Sequence, residues 1–158
     1  MNLINNSPFK VGILKDVQVL VVDNDLDSGV LYSIFLKYFD ANVVTCGSVN
    51  EALEILGWFV PNIVICEIRF LGESIYTLIN RLNAIQADNK NQIPIIVTST
   101  CATGSLSQIP DVQFEGYLLK PINLDKMVLM ISNLVQAGRS ISSAYGQGFV
   151  QEVTAKSY

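Results

Sequence analysis

The chain has 158 residues, half of them hydrophobic, and it carries 14 acidic and 10 basic side chains for a formal net charge of -4. This length and composition suffice for one domain with an ordinary hydrophobic core. The acidic balance offers no positive field to a phosphate backbone, so we expect no direct binding to nucleic acid.

The sequence carries no pattern that would place it in a membrane or direct it to secretion. Its longest apolar runs, 19–22 and 63–66, are far too short to cross a bilayer, and residues 1–15 lack the pattern of a secretory signal. The three cysteines, at positions 46, 66 and 101, fit buried apolar side chains better than a disulfide framework or a zinc site. We therefore expect a cytoplasmic protein without a membrane partner.

The first structural unit is a strand followed by a helix. Residues 17–22 form a β-branched apolar run that ends at Asp23 and predicts a strand buried on both faces. An amphipathic helix is predicted from about residue 27 to before residue 42, with a period set by Leu31, Ile34, Phe35 and Tyr38. Residues 43–45 then predict a short second strand.

The second and third units repeat this alternation. Ser48 and Glu51 form a capping-box pattern ahead of a helix that Pro61 ends. Residues 62–66 predict a third strand, which meets its polar residue at Glu67. A third helix follows, with a period set by Ile75, Leu78, Ile79 and Leu82.

The last part of the chain predicts two more strands and one clear helix. The strands are expected at residues 95–98, after Pro94, and at residues 116–119. Residues 101–110 contain a glycine and end in a proline, so a helix there would be short and weakly formed. The final helix has Asn123 as its cap and a period set by Leu124, Met127, Val128, Ile131, Leu134 and Val135.

Five strands alternating with helices predict an α/β fold with a parallel sheet, because right-handed crossovers cover both faces of such a sheet with helices. We expect this domain to occupy residues 16–137, after an N-terminal arm formed by residues 1–15. Residues 138–158 are rich in Gly, Ser, Gln and Lys, which predicts a flexible C-terminal tail.

Four polar residues directly follow predicted strands: Asp23, Glu67, Ser99 and Lys120. Ligands of open parallel sheets bind at the carboxyl ends of the strands, so we expect these side chains to converge. Two carboxylates, a hydroxyl and an ammonium suit metal-assisted phosphoryl chemistry. The chain contains no histidine, so a phosphoryl group would have to come from another molecule.

The segments that end in these residues, VLVVDND, PNIVICEI, PIIVTST and GYLLKP, resemble the successive motifs of response-regulator receiver domains. The resemblance covers roughly residues 17–135. It implies a flavodoxin-like doubly wound sheet of five parallel strands in the order 2-1-3-4-5, and a role in two-component signal transduction.

The resemblance also implies roles for individual residues. In this family, bound Mg²⁺ and a lysine neutralise an aspartyl phosphate, while a hydroxyl and an aromatic side chain rearrange to expose a partner surface. Position by position, the acidic metal pair corresponds to Asp23 and Asn24, the phosphoacceptor to Glu67, the switch hydroxyl to Ser99, the switch aromatic to Tyr117 and the phosphate-binding lysine to Lys120.

Three departures from the family pattern change what we expect of this site. Asn24 replaces the second acidic residue, which removes one charge from the Mg²⁺ site and should weaken or abolish metal binding. Glu67 replaces the acceptor aspartate, and its extra methylene displaces the carboxylate by roughly 1.5 Å. The next residues read IRFLGES where the family usually has a methionine-proline turn followed by Asp-Gly, so the backbone near the expected metal carbonyl at Arg69 should also differ.

We therefore expect a stand-alone, atypical receiver that is independent of aspartate phosphorylation and is not an enzyme. Glu67 would hold a permanent negative charge near the phosphoryl position and pair with Lys120. Because no output region is expected after residue 135, the protein would act through a histidine kinase, a scaffold or a separate effector protein, and a homodimer is compatible with the sequence.

The sequence leaves three other functions open. The chain could be a phosphorylatable receiver that accepts phosphate from a histidine kinase, or an interaction or small-molecule-sensing module that keeps only the fold. Asp23 and Asp25 also resemble the D-x-D nucleophile motif of haloacid dehalogenase-type phosphatases. That enzyme class needs a further acidic pair after Lys120, which the sequence lacks. A simpler role for Asp25 is to cap the loop between the first strand and the following helix.

Overall fold

A computed structural model describes residues 7–67, 75–100 and 114–155, with side chains described as far as residue 139. The strands are β1 Gln18–Val22, β2 Asn42–Cys46, β3 Ile63–Glu67, β4 Ile95–Ser99 and β5 Gly116–Leu119. The helices in the described residues are α1 Leu26–Tyr38, α2 Val49–Ile55, α3 Ile75–Asn89 and α4 Leu124–Ala155. The short helix considered for residues 101–110 lies outside the described residues.

All five strands are parallel and lie in one sheet in the order β2-β1-β3-β4-β5. The expected α/β class and strand order are thus confirmed. The register aligns Glu67 at the end of β3 with Thr98 near the end of β4. Parallel strands in register bring their carboxyl ends to a common edge, and this edge carries the candidate site described below.

The two faces of the sheet form two hydrophobic clusters. On one face, Val21 of β1 and Ile65 of β3 pack against α1 and α4. On the other face, Val22 and Cys66, one residue further along these strands, pack against α2 and α3. Successive side chains of a strand point to opposite faces, and strands covered on both faces are apolar at every position. This double burial explains why β1 and β3 are continuous apolar runs in the sequence.

The predicted helix caps are confirmed. The side chain of Asp25 caps α1 by accepting hydrogen bonds from Asp27 N, at 3.1 Å, and from Ser28 Oγ, at 2.9 Å. At the start of α2, Ser48 Oγ accepts from the amide nitrogen of Glu51 at 3.2 Å. Asn123 Oδ1 likewise accepts from Lys126 N at 3.1 Å at the start of α4. Each cap satisfies amide groups that have no partner inside the helix.

The face of α1 that the sequence predicted to be buried is the wrong one. Of the four residues that set its predicted period, only Phe35 is buried, whereas Leu31, Ile34 and Tyr38 are exposed. The buried face instead comprises Gly29, Tyr32, Phe35 and Leu36. Apolar residues occur all round this helix, so its sequence contains two competing apolar faces. At Gly29 an added Cβ would lie 3.8 Å from Thr45 Cβ, which shows how closely this face of α1 approaches β2.

The last helix is longer than expected. The sequence predicted its end near residue 137 and a flexible tail over residues 138–158, but α4 continues as a helix to Ala155. Gly138, which suggested the break, does not interrupt the helix, and a Cβ added there would meet no atom within 4 Å. A single glycine disfavours a helix interior by only about 1 kcal/mol relative to alanine. No helix among the described residues is long and apolar enough to cross a membrane.

The segment before β1 packs onto the domain. The side chain of Leu14 is fully buried, and its N–H donates a hydrogen bond to the carbonyl oxygen of Phe39 at 3.0 Å. The ring of Phe9 meets that of Phe39 edge to face, with 6.3 Å between the ring centroids. Ser7 Oγ donates to Asp125 Oδ1 in the first turn of α4 at 3.0 Å. Residues 7–16 therefore extend the cluster formed with α1 and α4.

We expect Phe39→Ala to lower the free energy of unfolding by about 3–5 kcal/mol, because a large buried aromatic would be replaced by a cavity. Phe39 is fully buried and its ring contacts those of Phe9, Phe35 and Tyr38. Equilibrium urea unfolding measures the change. As a control, Tyr76→Ala on the exposed side of α3 should change stability by less than about 0.5 kcal/mol. A loss below about 1 kcal/mol for Phe39→Ala would contradict this account of the core.

Candidate functional site

The structure brings together three of the predicted site residues at the carboxyl edge of the sheet. Asp23 follows β1, Glu67 ends β3 and Lys120 follows β5. Each lies two residues after a strand residue buried against α1 and α4: Val21, Ile65 and Leu118. Because side chains alternate along a strand, residues two apart share a face, and all three polar side chains emerge on the α1 and α4 side.

The three side chains form one ion cluster. Lys120 Nζ lies 2.8 Å from Asp23 Oδ2 and 3.5 Å from Glu67 Oε1. The two carboxylate side chains are only 2% exposed, and that of Lys120 is 13% exposed. Asp23 Oδ1 accepts a further hydrogen bond from Asp25 N at 2.8 Å. Both oxygens of Asp23 are thus bound within the protein.

The cluster holds Lys120 in its charged form. Burial by itself lowers the pKa of Lys120, but the hydrogen bond and charge of Asp23, together with the charge of Glu67, outweigh burial and raise this pKa above its ordinary value. A charge removed from water is stable in a protein only when it is paired and hydrogen-bonded. The ammonium and its two carboxylate neighbours therefore stabilise one another's burial.

The predicted contact between Glu67 and Lys120 is present, but it is the longer of the two that the ammonium makes. The shorter contact is with Asp23, which the resemblance assigns to metal binding. The sequence could not rank these partners, because both carboxylates follow neighbouring strands and only side-chain geometry separates them. The backbone of Lys120 also connects to β4, since its N–H donates to the carbonyl oxygen of Ser99 at 2.6 Å.

Ser99 and Tyr117, the predicted switch residues, alternate onto the other face of the sheet. Tyr117 is in register with Val97, and Ser99 lies two residues beyond Val97, a residue that packs on the α2 and α3 side. Tyr117 is 47% exposed, and its ring meets that of Phe114 edge to face with 6.2 Å between centroids. Strand alternation therefore separates these two residues from the face that carries the ion cluster.

Thr98 is a site residue that sequence reasoning missed. It is in register with Glu67 and lies two residues after Ile96, so alternation places it on the α1 and α4 face beside the cluster. It is only 1% exposed, and its hydroxyl has no hydrogen-bond partner among the residues that the structure describes. The signal available in the sequence was a threonine two residues after an isoleucine in the same strand, since residues two apart share a face.

A second group that sequence reasoning passed over is Tyr32 on the buried face of α1. Burial raises the pKa of Tyr32, and a hydrogen bond with Ser28 and the charge of Lys120 oppose this rise. The charge of Asp23 also acts on this phenol. Tyr32 is 3% exposed, so this phenol is buried on the face of α1 that packs against the sheet, near enough to the cluster for its charges to act on it. It was overlooked because the predicted helix turned a different face toward the sheet.

The arrangement fits a resident Mg²⁺ poorly. Asp23, Asn24 and Glu67 are the side chains that the resemblance implies for the metal, but Asn24 is exposed and both oxygens of Asp23 are already bound. Within the described ranges, no group of three or more His, Cys, Asp or Glu side chains could hold a metal ion. The ammonium of Lys120 contacts both carboxylates, so a cation already neutralises them. The expected metal carbonyl at Arg69 lies outside the described residues.

The two described cysteines are buried within the sheet. Cys46 at the end of β2 and Cys66 in β3 are buried free thiols. Burial raises the pKa of each to about 12, so both thiols stay protonated at neutral pH. The expectation that they act as buried apolar side chains is confirmed for these two, and Cys101 lies outside the described residues.

Comparison with known proteins shows that the fold is that of receiver domains. A putative response regulator from Chloroflexus aurantiacus is 23% identical, with a TM-score of 0.65, over 77% of this chain and 99% of that one. A response-regulator receiver domain from Francisella is 16% identical, with a TM-score of 0.58, over 77% of this chain and 98% of that one. A yeast Spc42 trimeric coiled-coil segment fused to another structure is 18% identical, with a TM-score of 0.67, over 90% of this chain and 89% of that one. No protein-family model and no curated protein matches the sequence.

We expect Lys120→Met to lower the free energy of unfolding at pH 7 by about 2–4 kcal/mol, because it leaves two buried carboxylates without their cation. The effect should depend on pH. Since the pKa of Lys120 is raised in the folded state, its contribution is complete below about 10.5, the ordinary lysine pKa, and is lost as the pH rises above that value. Urea unfolding of both proteins from neutral to alkaline pH should show the gap between them narrowing.

Lys126→Met is the matched control, because Lys126 is an exposed lysine in the first turn of α4. This variant should unfold with nearly the wild-type free energy across the same pH range. A gap for Lys120→Met that stays constant at alkaline pH, or that is absent at neutral pH, would contradict the ion cluster described here.

We expect Thr98→Val to raise the free energy of unfolding by about 1 kcal/mol, because it removes a buried hydroxyl without a partner among the described residues and preserves the shape of the side chain. Thr98→Ala is the control, since it removes the same hydroxyl but also leaves a cavity the size of a methyl group, and it should destabilise the protein. Thermal and urea unfolding measure both changes. Destabilisation by Thr98→Val would show that the hydroxyl has a stabilising contact.

Proposed function

We propose that this chain is an atypical receiver domain that works without phosphorylation and transmits its signal by binding other proteins. The observation that supports this proposal is the contact of Lys120 Nζ with the buried carboxylates of Asp23 and Glu67, at 2.8 and 3.5 Å. In the family that the chain resembles, the lysine serves a phosphorylated aspartate. Here two carboxylates of the chain itself occupy that ammonium.

Glu67 is the residue on which the proposal depends. Its side chain is 2% exposed, so a phosphodonor would have to reach a carboxylate that is almost fully covered. Its extra methylene displaces the carboxylate by roughly 1.5 Å from where an aspartate would hold it, and phosphoryl transfer is sensitive to displacements of that size. The carboxylate beside Lys120 thus takes the place of the charge that phosphorylation would add.

The fixed charge can act on the rest of the domain through β4 and β5. Glu67 helps to hold Lys120, and the N–H of Lys120 donates to the carbonyl oxygen of Ser99. Ser99 and Tyr117 lie on the far face of these two strands, where Tyr117 is exposed and available to a partner. A lasting contact at Glu67 would therefore favour one arrangement of the strand ends, as a phosphoryl group does in a switch.

The proposal includes a protein without catalytic activity and without a functional requirement for Mg²⁺. Both oxygens of Asp23 are bound and the exposed Asn24 supplies no charge, which leaves a weak donor set for a hard divalent ion. We propose that the partners are a histidine kinase, a scaffold or a separate effector protein in the cytoplasm. Their recognition would depend on surface shape and charge and not on transfer of a phosphoryl group.

The first measurement is the intact mass of the purified chain after incubation with Mg²⁺ and acetyl phosphate. The second is its amide NMR spectrum with and without beryllofluoride. We expect no phosphate adduct and no spectral change for the wild type, because Lys120 is already bound and Glu67 is displaced. Glu67→Asp should restore a response. A phosphate adduct on the wild type would contradict the proposal and support a phosphorylatable receiver.

A second arm examines the charge itself. Glu67→Gln removes the charge while keeping the side-chain length, so its amide spectrum should change at Ser99 and Tyr117 as well as next to residue 67. Glu54→Gln makes the same chemical change at an exposed position of α2 and should alter only nearby signals. Changes confined to the neighbours of residue 67 would show that the fold is kept but that this charge does not control β4 and β5.

A further inference from the structure

Helix α1 exposes a line of large apolar side chains. Five residues, named here the α1 stripe, are between 37% and 76% exposed: Leu26, Val30, Leu31, Ile34 and Tyr38. Four of them recur every fourth residue and therefore form a continuous ridge along the helix. The buried residues Tyr32, Phe35 and Leu36 occupy the opposite side of the same helix. The stripe is thus a second apolar face that the fold leaves uncovered within the described residues.

The size of the stripe indicates an interaction surface. Its exposed side chains present on the order of 500 Å² in one contiguous patch, which is near the upper end for monomeric proteins, where such patches are often functional. Single exposed apolar residues are common and need no explanation, but a ridge along a whole helix does. A helix that is apolar on both sides is expected to be covered on both sides.

We propose that the α1 stripe is covered by the α1 stripe of a second copy of this chain, with the two helices antiparallel about a twofold axis. The inference goes beyond the proposed function and does not depend on it. In this arrangement, residues equally distant from the middle of the helix meet across the axis. Val30 therefore packs against Ile34 of the second copy, and Leu26 packs against Tyr38.

The charges of α1 favour this arrangement. The helix contains two charged residues, Asp27 in its first turn and Lys37 in its last, and both are exposed. Asp27 and Lys37 are equally distant from the middle of the stripe. The antiparallel twofold packing therefore sets Asp27 of each copy opposite Lys37 of the other, whereas a parallel packing would set like charges opposite each other.

The buried area is near the minimum that a specific dimer needs. Two copies of the stripe would together bury on the order of 1,000 Å², which is at the lower limit for specific protein interfaces. Ridges of residues spaced by four pack into each other with a crossing angle of about 50°. An interface of this size with an apolar centre and two charge pairs at its ends predicts a reversible dimer of moderate affinity.

The first measurement is sedimentation velocity of the full chain from about 1 to 500 µM, to obtain the dissociation constant of the dimer. Ile34→Glu places a charge at the centre of the interface and should weaken the dimer at least about tenfold. Leu129→Glu is the matched control, because Leu129 is an exposed leucine on a different helix, α4. Both substitutions are on the surface, so thermal unfolding should show that both variants remain folded.

Charge exchange tests the orientation of the helices. Asp27→Lys and Lys37→Asp should each weaken the dimer, since each single variant sets like charges opposite each other at both ends. In a parallel packing the wild type would already set like charges opposite each other, so the single variants would not weaken its dimer. In the antiparallel packing, an equimolar mixture of the two variants should recover affinity by forming a mixed dimer.

 In such a mixed dimer both end contacts join opposite charges, whereas a dimer of either single variant joins like charges at both ends. Recovery should diminish at high salt, which screens these exposed pairs.

Three results would overturn the inference. A wild-type protein that stays monomeric throughout the range would show that the second copy does not cover the stripe. A loss of affinity for Leu129→Glu equal to that for Ile34→Glu would place the interface elsewhere. Single charge variants that dimerise as tightly as the wild type, or weakened single variants without recovery in their mixture, would exclude the antiparallel pairing. None of these results depends on the phosphodonor experiment, so the two proposals can fail separately.

Discussion

The contact of one ammonium with two buried carboxylates is the constraint on which the carboxyl edge of this sheet depends. A buried Asp23, Glu67 or Lys120 would be strongly unfavourable alone, and each is tolerated because both carboxylates lie within 3.5 Å of the shared Nζ. These residues come from three different strands. The register of β1, β3, β4 and β5 must therefore be maintained, since a slip of one residue would turn these charges to the other face of the sheet.

In the proposed function, the same contacts supply the charge that phosphorylation would otherwise add. Lys120 is paired with both carboxylates, and this pairing outweighs burial and raises its pKa. The proposed function follows from this static charge balance. The α1 stripe begins at Leu26, shortly after Asp23 in the chain. Its residues are not those of the ion cluster, so a dimer formed through the stripe would not use the charges of that site.

The parts of the fold that depend on local chemistry could be predicted. Asp25, Ser48 and Asn123 were recognised as caps because a short side chain with an acceptor oxygen satisfies amides only two or three residues away. Glu67 and Lys120 could be predicted to meet because parallel strands end at a common edge. The covered face of α1 could not be predicted, because its two sides are similarly apolar and periodicity cannot choose between them.

The sequence by itself thus determined the strand and helix periods and the caps, because each depends on neighbouring residues. It also determined the approach of Asp23, Glu67 and Lys120, because this depends on the common direction of parallel strands. Only the tertiary structure decided that Lys120 binds Asp23 more closely than Glu67, that Thr98 and not Ser99 shares the face of the cluster, and that Ile34 is exposed. These outcomes depend on strand register and on how each helix packs against the sheet, and both are set by contacts between residues far apart in the sequence.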